Sequence, residues 1–110
     1  VYCVHDLTGF QRDLLLVIAG LDEPKGLDVN DELEQYYGTE IRHGRLYPNL
    51  DTLVNKGLVK KGQHDLRTNK YVLTDRGERE IEARLDWELS YVPEDIRANL
   101  DGAVPQQALQ

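Results

Sequence analysis

The chain has 110 residues with 13 Lys/Arg against 20 Asp/Glu, a formal net charge of −7. That length makes one domain with a single modest core. The lone Cys3 excludes an internal disulfide, no Cys/His spacing suits zinc, and the longest apolar run, Leu14–Ala19, is too short to span a membrane.

A soluble protein of a reducing, cytoplasmic compartment is expected. The sequence opens at Val1 and not at Met, so a preceding segment stays open. Lys is scarce, at five against eight Arg, and Asp outnumbers Glu eleven to nine. Acidic, Lys-poor surfaces are typical of proteins from salt-loving organisms, where hydrated carboxylates hold the molecule in solution. An ordinary acidic cytosolic protein is the alternative.

In chain order, Thr8-Gly9-Phe10-Gln11 reads as a capping box opening a first helix. Phe10, Leu14, Val17, Ile18 and Leu21 keep helical spacing, and Leu15 and Leu16 widen the apolar face. A helix that apolar is expected to meet a second subunit as well as its own core, with Phe10 and Leu14 at that contact. Gly20–Gly26 is a turn containing Pro24. The second helix is predicted from about Asp28, as its cap, to Tyr37, with Val29, Leu33, Tyr36 and Tyr37 inward and Asp31, Glu32 and Glu34 outward.

A third helix follows, with Leu46, Leu50, Leu53 and Val54 on one stripe, and Gly57 ending it. Arg42, His43, Arg45, Asn49 and Thr52 lie off the stripe. Proline is comfortable only in a first turn, so Pro48 sets the regular start near Gly44–Arg45. Arg42, His43, Arg45 and Tyr47 then stand where free amides and the positive dipole end would meet phosphates or base edges. Leu58–Gln63 and Asn69–Thr74 are predicted strands joined by the turn His64–Thr68. Helix plus ribbon reads as the recognition helix and wing of a winged helix-turn-helix. From Arg42 to Arg76 there are eight Lys/Arg against three Asp/Glu, a balance of +5, while the remainder carries five against seventeen, −12. A positive island in an acidic molecule is what phosphate attraction requires locally.

Thr74-Asp-Arg-Gly77 opens a fourth helix to about Tyr91. Ile81, Leu85, Leu89 and Val92 form a narrow stripe flanked by charge, with Trp87 and Tyr91 beside it. Such a seam suits pairing with another helix, which makes Ile81, Leu85, Trp87, Leu89 and Val92 candidates for a homodimer interface. Pro93 breaks the helix, and Glu94–Leu100 adds a short one. The domains expected are 1–74, a winged helix-turn-helix DNA-binding unit, then 75–101, a dimerisation region, and 102–110, a flexible tail. The fold class is mainly α with a small β-hairpin wing (α+β).

The run Gly44-Arg-Leu-Tyr47-Pro48-Asn-Leu50-Asp-Thr-Leu53, with Lys56-Gly57-Leu58-Val59, resembles the recognition-helix signature of the PadR family of winged-helix transcriptional regulators. Lys70-Tyr71-Val-Leu73-Thr74-Asp-Arg-Gly77 is similar to that family's second wing strand and the start of its dimerisation helix. The likeness covers about residues 8–90 and departs at His43, where a small hydroxyl residue is common. It implies a homodimer that places its third helices in the major groove and its wings near the minor groove. With the acidic composition it implies a haloarchaeal regulator, of a type tied to the oxidative-stress response.

Arg45 is the first candidate for a base contact, because its guanidinium pairs with guanine O6 and N7; holding a phosphate is the alternative. Asn49 can read adenine. Tyr47 either meets a phosphate or packs under the helix. Arg67 at the wing tip, with Thr68, Asn69 and Lys70, suits a minor-groove or phosphate contact, against a merely solvated turn. Thr52 and Lys60 complete the DNA-facing set. No enzyme motif appears: His5, His43 and His64 are far apart, no phosphate loop or nucleophile motif is present, and no cofactor or metal is implied. Cys3 reads as a passenger against a redox sensor.

Two functions fit. One is a dimeric, sequence-specific regulator whose partners are a pseudo-palindromic double-stranded DNA operator and a second copy of itself, with no membrane and an unknown effector. The other is a winged-helix module for protein–protein contact, which has no need of the +5 island. In molar salt the counterion-release term nearly vanishes, so the regulator is expected to compensate by screening its acidic surface and by taking up cations between carboxylates and phosphates.

Overall fold

The computed structural model describes residues 4–103. A 3-10 turn, Val4–Asp6, leads into α1 (Gly9–Gly20), α2 (Gly26–Tyr37) and α3 (His43–Asn55). The hairpin β1 (Val59–Gln63) and β2 (Asn69–Leu73) follows, then α4 (Asp75–Leu89) and α5 (Glu94–Ala103). This is the α+β winged helix-turn-helix. Cys3 and residues 104–110 lie outside the described residues, as do the side chains of 101–103. The expected flexible tail therefore falls almost wholly outside them.

Local chemistry sets most of the boundaries. Thr8 Oγ1 accepts from the Gln11 amide at 3.2 Å while Gln11 Oε1 accepts from the Thr8 amide at 3.1 Å, which fixes the start of α1. At the end of α3, Gly57 takes φ +77°. Its amide reaches the Val54 carbonyl, and the Leu58 amide reaches that of Leu53, the paired bonds of a Schellman turn. Leu53 and Leu58, brought together by that turn, are both fully buried.

The core gathers Leu14, Leu15 and Ile18 of α1, Val29 and Leu33 of α2, and the Leu46, Leu50 and Leu53 stripe of α3. Val59 and Tyr71 close it from the hairpin. Each such side chain contributes about 1.5–3 kcal/mol relative to exposure. β1 and β2 are antiparallel with Val59 opposite Leu73 and Gln63 opposite Asn69. On the other edge of β2 the Tyr71 amide donates to the Pro24 carbonyl at 2.9 Å, so the α1–α2 loop pins the wing to the helices.

Four expectations are corrected. α2 begins at Gly26, not Asp28: Lys25 is the cap position, and Asp28 Oδ2 reaches back to accept from its amide at 3.0 Å. Tyr36 points outward at 81% exposure, because neighbouring helical residues diverge by about 100° and Tyr37 takes the inward place. Glu34 does not simply face solvent, since its Oε2 accepts from the Ile41 amide at 2.7 Å. Phe10 and Leu14, expected at a subunit contact, are taken up in the protomer's own core at 7% and 0% exposure; Leu16 is the exposed leucine of α1.

α4 is tied to the rest at its first turn and progressively freed from it. Thr74 Oγ1 accepts from the Gly77 amide at 3.0 Å and donates to the Gly57 carbonyl at 2.7 Å. Ile81 still packs on the core, whereas Leu85, Trp87 and Leu89, then Ile96 and Leu100 of α5, are exposed. Among the described residues no helix is long and apolar enough to cross a membrane, and no side-chain cluster suits a metal ion.

Candidate nucleic-acid interface

α3 starts at His43, one or two residues before the predicted start, and Pro48 stands in its second turn. With no amide at 48, the Gly44 carbonyl has no helical donor. Gly44, Pro48, Asp51 and Asn55, at i, i+4, i+7 and i+11, run along the side opposite the Leu46, Leu50 and Leu53 stripe, and all four are exposed. The outermost ridge of the helix is therefore slim near its N-terminus, with space around Gly44.

The expected polar residues divide between the two flanks of that ridge. On the α1 flank, Arg45 is exposed, and its guanidinium carbon lies 4.0 Å from the centroid of the Phe10 ring, a cation–π arrangement. Asn49 is half-buried, its Nδ2 donating to the Arg45 carbonyl at 2.7 Å and its Oδ1 accepting from Gln11 Nε2 at 2.9 Å. Thr52 donates its hydroxyl to the Pro48 carbonyl at 3.0 Å. On the other flank Tyr47 lies against Gly26, where an added Cβ would come within 2.8 Å of its ring, and His43 meets it edge-on at 5.9 Å. Arg42 is exposed at the cap position.

The wing presents Lys60, Arg67 and Asn69 to solvent, with Thr68 half-buried. Its turn is held by Asp65, whose Oδ1 accepts from the Arg67 amide at 2.9 Å, and by the His64 amide donating to the Thr68 carbonyl at 2.8 Å. The Arg67 amide, then the Thr68 hydroxyl and amide, hold the Asp65 carboxyl below the usual carboxylate range. Lys70, expected among the DNA contacts, is turned back onto Glu23 in an ion pair, and that hydrogen bond lowers the Glu23 carboxyl. Lys61 pairs with Asp51 at 3.4 Å across the groove between α3 and β1. Arg42, Arg45, Lys60 and Arg67 make no ion pair among the described residues.

Several interface features escaped the sequence. Lys25, Gly26 and Leu27 join Tyr47, Arg67, Thr68 and Asn69 around a cleft of about 380 Å³ where the start of α2 faces the wing. The Lys25-x-x-Asp28 spacing was the signal for it, but Lys is not a residue that caps well. Leu66 stands 95% exposed at the wing tip. Asn55 sits on the outer ridge of α3, where the apolar stripe locates it by default.

The chain belongs to the PadR-like family of transcriptional regulators, whose model matches residues 14–83, from within α1 to within α4. Among solved structures it is similar to H. salinarum RosR grown from NaBr, at 46% identity and a TM-score of 0.86, covering 96% of this chain and 97% of that one. The complex RosR-S1 matches with the same identity and TM-score over 96% of each chain. MarR, at 24% identity and a TM-score of 0.64 over 94% of this chain and 77% of that one, shares the fold. No curated protein matches.

Proposed function

We propose that this chain is a homodimeric, sequence-specific regulator of transcription that binds double-stranded DNA at high salt. α3 enters the major groove, and the wing lies at the minor groove and flanking phosphates. The observation that carries the reading is the exposure of four cations that make no ion pair among the described residues: Arg42 and Arg45 on α3, and Lys60 and Arg67 on the wing. Outside Arg42–Arg76 the chain carries five Lys/Arg against seventeen Asp/Glu. A winged helix that docked on protein would have no physical use for that segregation, which is why the protein-contact alternative is set aside.

In this reading residues 1–74 form the DNA-binding unit and 75–101 the dimerisation region. The exposed Leu85, Trp87 and Leu89 of α4, with the half-buried Val92 after it, pair across a two-fold axis. Two α3 helices set about 34–36 Å apart would meet successive major grooves, so the operator is pseudo-palindromic. Carboxylates outside the island repel DNA until cations screen them, which adapts binding to molar salt.

The test is operator binding by fluorescence anisotropy across a KCl titration. A flat or rising affinity toward molar KCl is expected. A steep monotonic loss, of about 10³–10⁵ between 50 and 200 mM, would remove the salt adaptation. No binding at any salt would remove the DNA reading itself.

A further inference from the structure

At the junction of α1 and α3 four groups form one continuous hydrogen-bonded run. The Thr8 amide donates to Gln11 Oε1, Gln11 Nε2 donates to Asn49 Oδ1, and Asn49 Nδ2 donates to the Arg45 carbonyl. The polarity of the run is set at both ends, by a backbone amide at one and a backbone carbonyl at the other. A backbone amide only donates, so it takes the oxygen end of Gln11 and leaves that residue's amino end for Asn49. Asn49 must answer with its oxygen.

The consequence lies in what Asn49 has left. A carboxamide offers two N–H donors and two acceptor lone pairs, and one of each is already engaged. One donor and one acceptor remain. Adenine shows the major groove an N7 acceptor beside an N6 donor, the complement of that pair, while guanine shows two acceptors there. The Arg45 carbonyl, which only accepts, selects the same sense from the other end, and the bond from Gln11 holds the amide in it against rotation.

We propose that Gln11, on α1, is a positioning residue for base readout, fixing the Asn49 carboxamide in the orientation that favours adenine in each half-site. The proposal rests on the DNA-binding reading above and adds a helix outside the recognition element to the specificity machinery. Phe10, the preceding residue, supports Arg45 from the same turn. The first turn of α1 thus braces both base-reading candidates of α3.

The test uses the full chain and a randomised duplex library, with wild type, Gln11→Glu, Gln11→Ala and Asn49→Ala selected in parallel. In Gln11→Glu the carboxylate still accepts from the Thr8 amide, and a negative charge suits a helix N-terminus, so the cap and the thermal midpoint hold. It has no donor for Asn49, however: its carboxylate repels Oδ1, and turning the amide over would only set Oδ1 against the Arg45 carbonyl. Either way the Asn49 carboxamide leaves the position in which it offers adenine a donor beside an acceptor.

The expected result is an adenine preference at one base pair per half-site in wild type. It is reduced about tenfold in Gln11→Glu and in Asn49→Ala, measured relative to each variant's own affinity for random-sequence duplex. Gln11→Ala, which leaves the amide held by the Arg45 carbonyl alone, is expected to weaken the same preference; it serves if Gln11→Glu fails to fold. An unaltered preference in the Gln11 variants that fold overturns the proposal, as does an unaltered one in Asn49→Ala. A uniform loss of affinity for every sequence in Gln11→Glu, with the adenine preference intact, overturns it too. Enrichment of no sequence by wild type would instead sink the DNA-binding reading from which it starts.

Discussion

The carbonyl oxygen of Leu58 occupies the space into which any side chain at Gly77 would have to project: a Cβ there would fall 2.2 Å from it. The same carbonyl accepts from the Thr74 amide at 3.1 Å, so it is anchored and has nowhere to go. Gly77→Ala must therefore push the first turn of α4 off the end of α3. Overpacking of this kind costs about 3 kcal/mol, which lowers the thermal midpoint of a domain this size by roughly 12–24 °C. Differential scanning calorimetry checks it, and a midpoint within 3 °C or so of wild type would show that α4 is not seated on Leu58.

Gly44 is the opposite case. A Cβ at 44 meets open space, and the residue lies within α3. Gly44→Ala should raise stability by about 0.5–1 kcal/mol through helix propensity. On the outer ridge beside Pro48, the added methyl would hold the helix back from the floor of a major groove. The expected pairing is a higher melting midpoint with weaker operator binding; equal or tighter binding would place the groove against some other face.

Much of this arrangement was legible in the sequence because it is local. The Thr8–Gln11 box, the Schellman turn at Gly57 and the α3 stripe each involve residues within a turn or two of one another. The start of α2 is hidden in the sequence because its cap position is filled by Lys25, a residue without the short acceptor side chain that advertises a cap. The stacking of Arg45 on Phe10 and the Gln11–Asn49 bond join elements more than thirty residues apart, and no periodicity foretells them. The same holds for Lys70: its charge was plain, but Glu23 as its partner depends on how the α1–α2 loop folds over β2.

The cations of the interface are expected to act in two different ways. Lys60→Ala and Arg67→Ala, on the wing, should weaken binding similarly for all sequences and shift the salt slope by about one each in the positive direction. Arg45→Ala should instead relax preference at a single guanine by about 1–3 kcal/mol. Competition assays against single-base operator variants separate the two. Uniform weakening by Arg45→Ala would reassign it to a phosphate.

Alkaline pH probes the helix junction from another side. Burial, then the bond to Asp13, pushes the Tyr37 hydroxyl up to about 12 from an ordinary value near 10. A raised value means that the folded state holds its proton longer, so this contribution to stability is whole below pH 10 and is lost as pH rises toward 12. Burial also raises Tyr71, which adds to the loss at high pH. Tyr37→Phe should be less stable than wild type at pH 8, because it leaves Asp13 without its donor, yet lose stability less steeply between pH 10 and 12. Urea unfolding at stepped pH measures both, and parallel curves for the two proteins would deny Tyr37 its role.

Trp87 offers the clearest separation between folding and assembly. It is 54% exposed, with the Arg84 guanidinium 4.8 Å from its ring and Tyr91 at 5.3 Å on another side, while Arg84 Nε is itself held by Glu88 at 3.0 Å. An indole braced in this way loses little side-chain freedom on meeting a partner, and aromatic anchors of that kind dominate interface energetics. Trp87→Ala should therefore leave the far-ultraviolet circular dichroism unchanged while weakening the dimer by about 2 kcal/mol or more, roughly thirtyfold in its dissociation constant. Leu14→Ala, at a fully buried site, should instead cost about 2–5 kcal/mol of folding stability. Sedimentation equilibrium with Trp87→Ala distinguishes the outcomes. If the variant remains as dimeric as wild type at micromolar concentration, the subunits join elsewhere, and the spacing of the two α3 helices must be derived from a different axis.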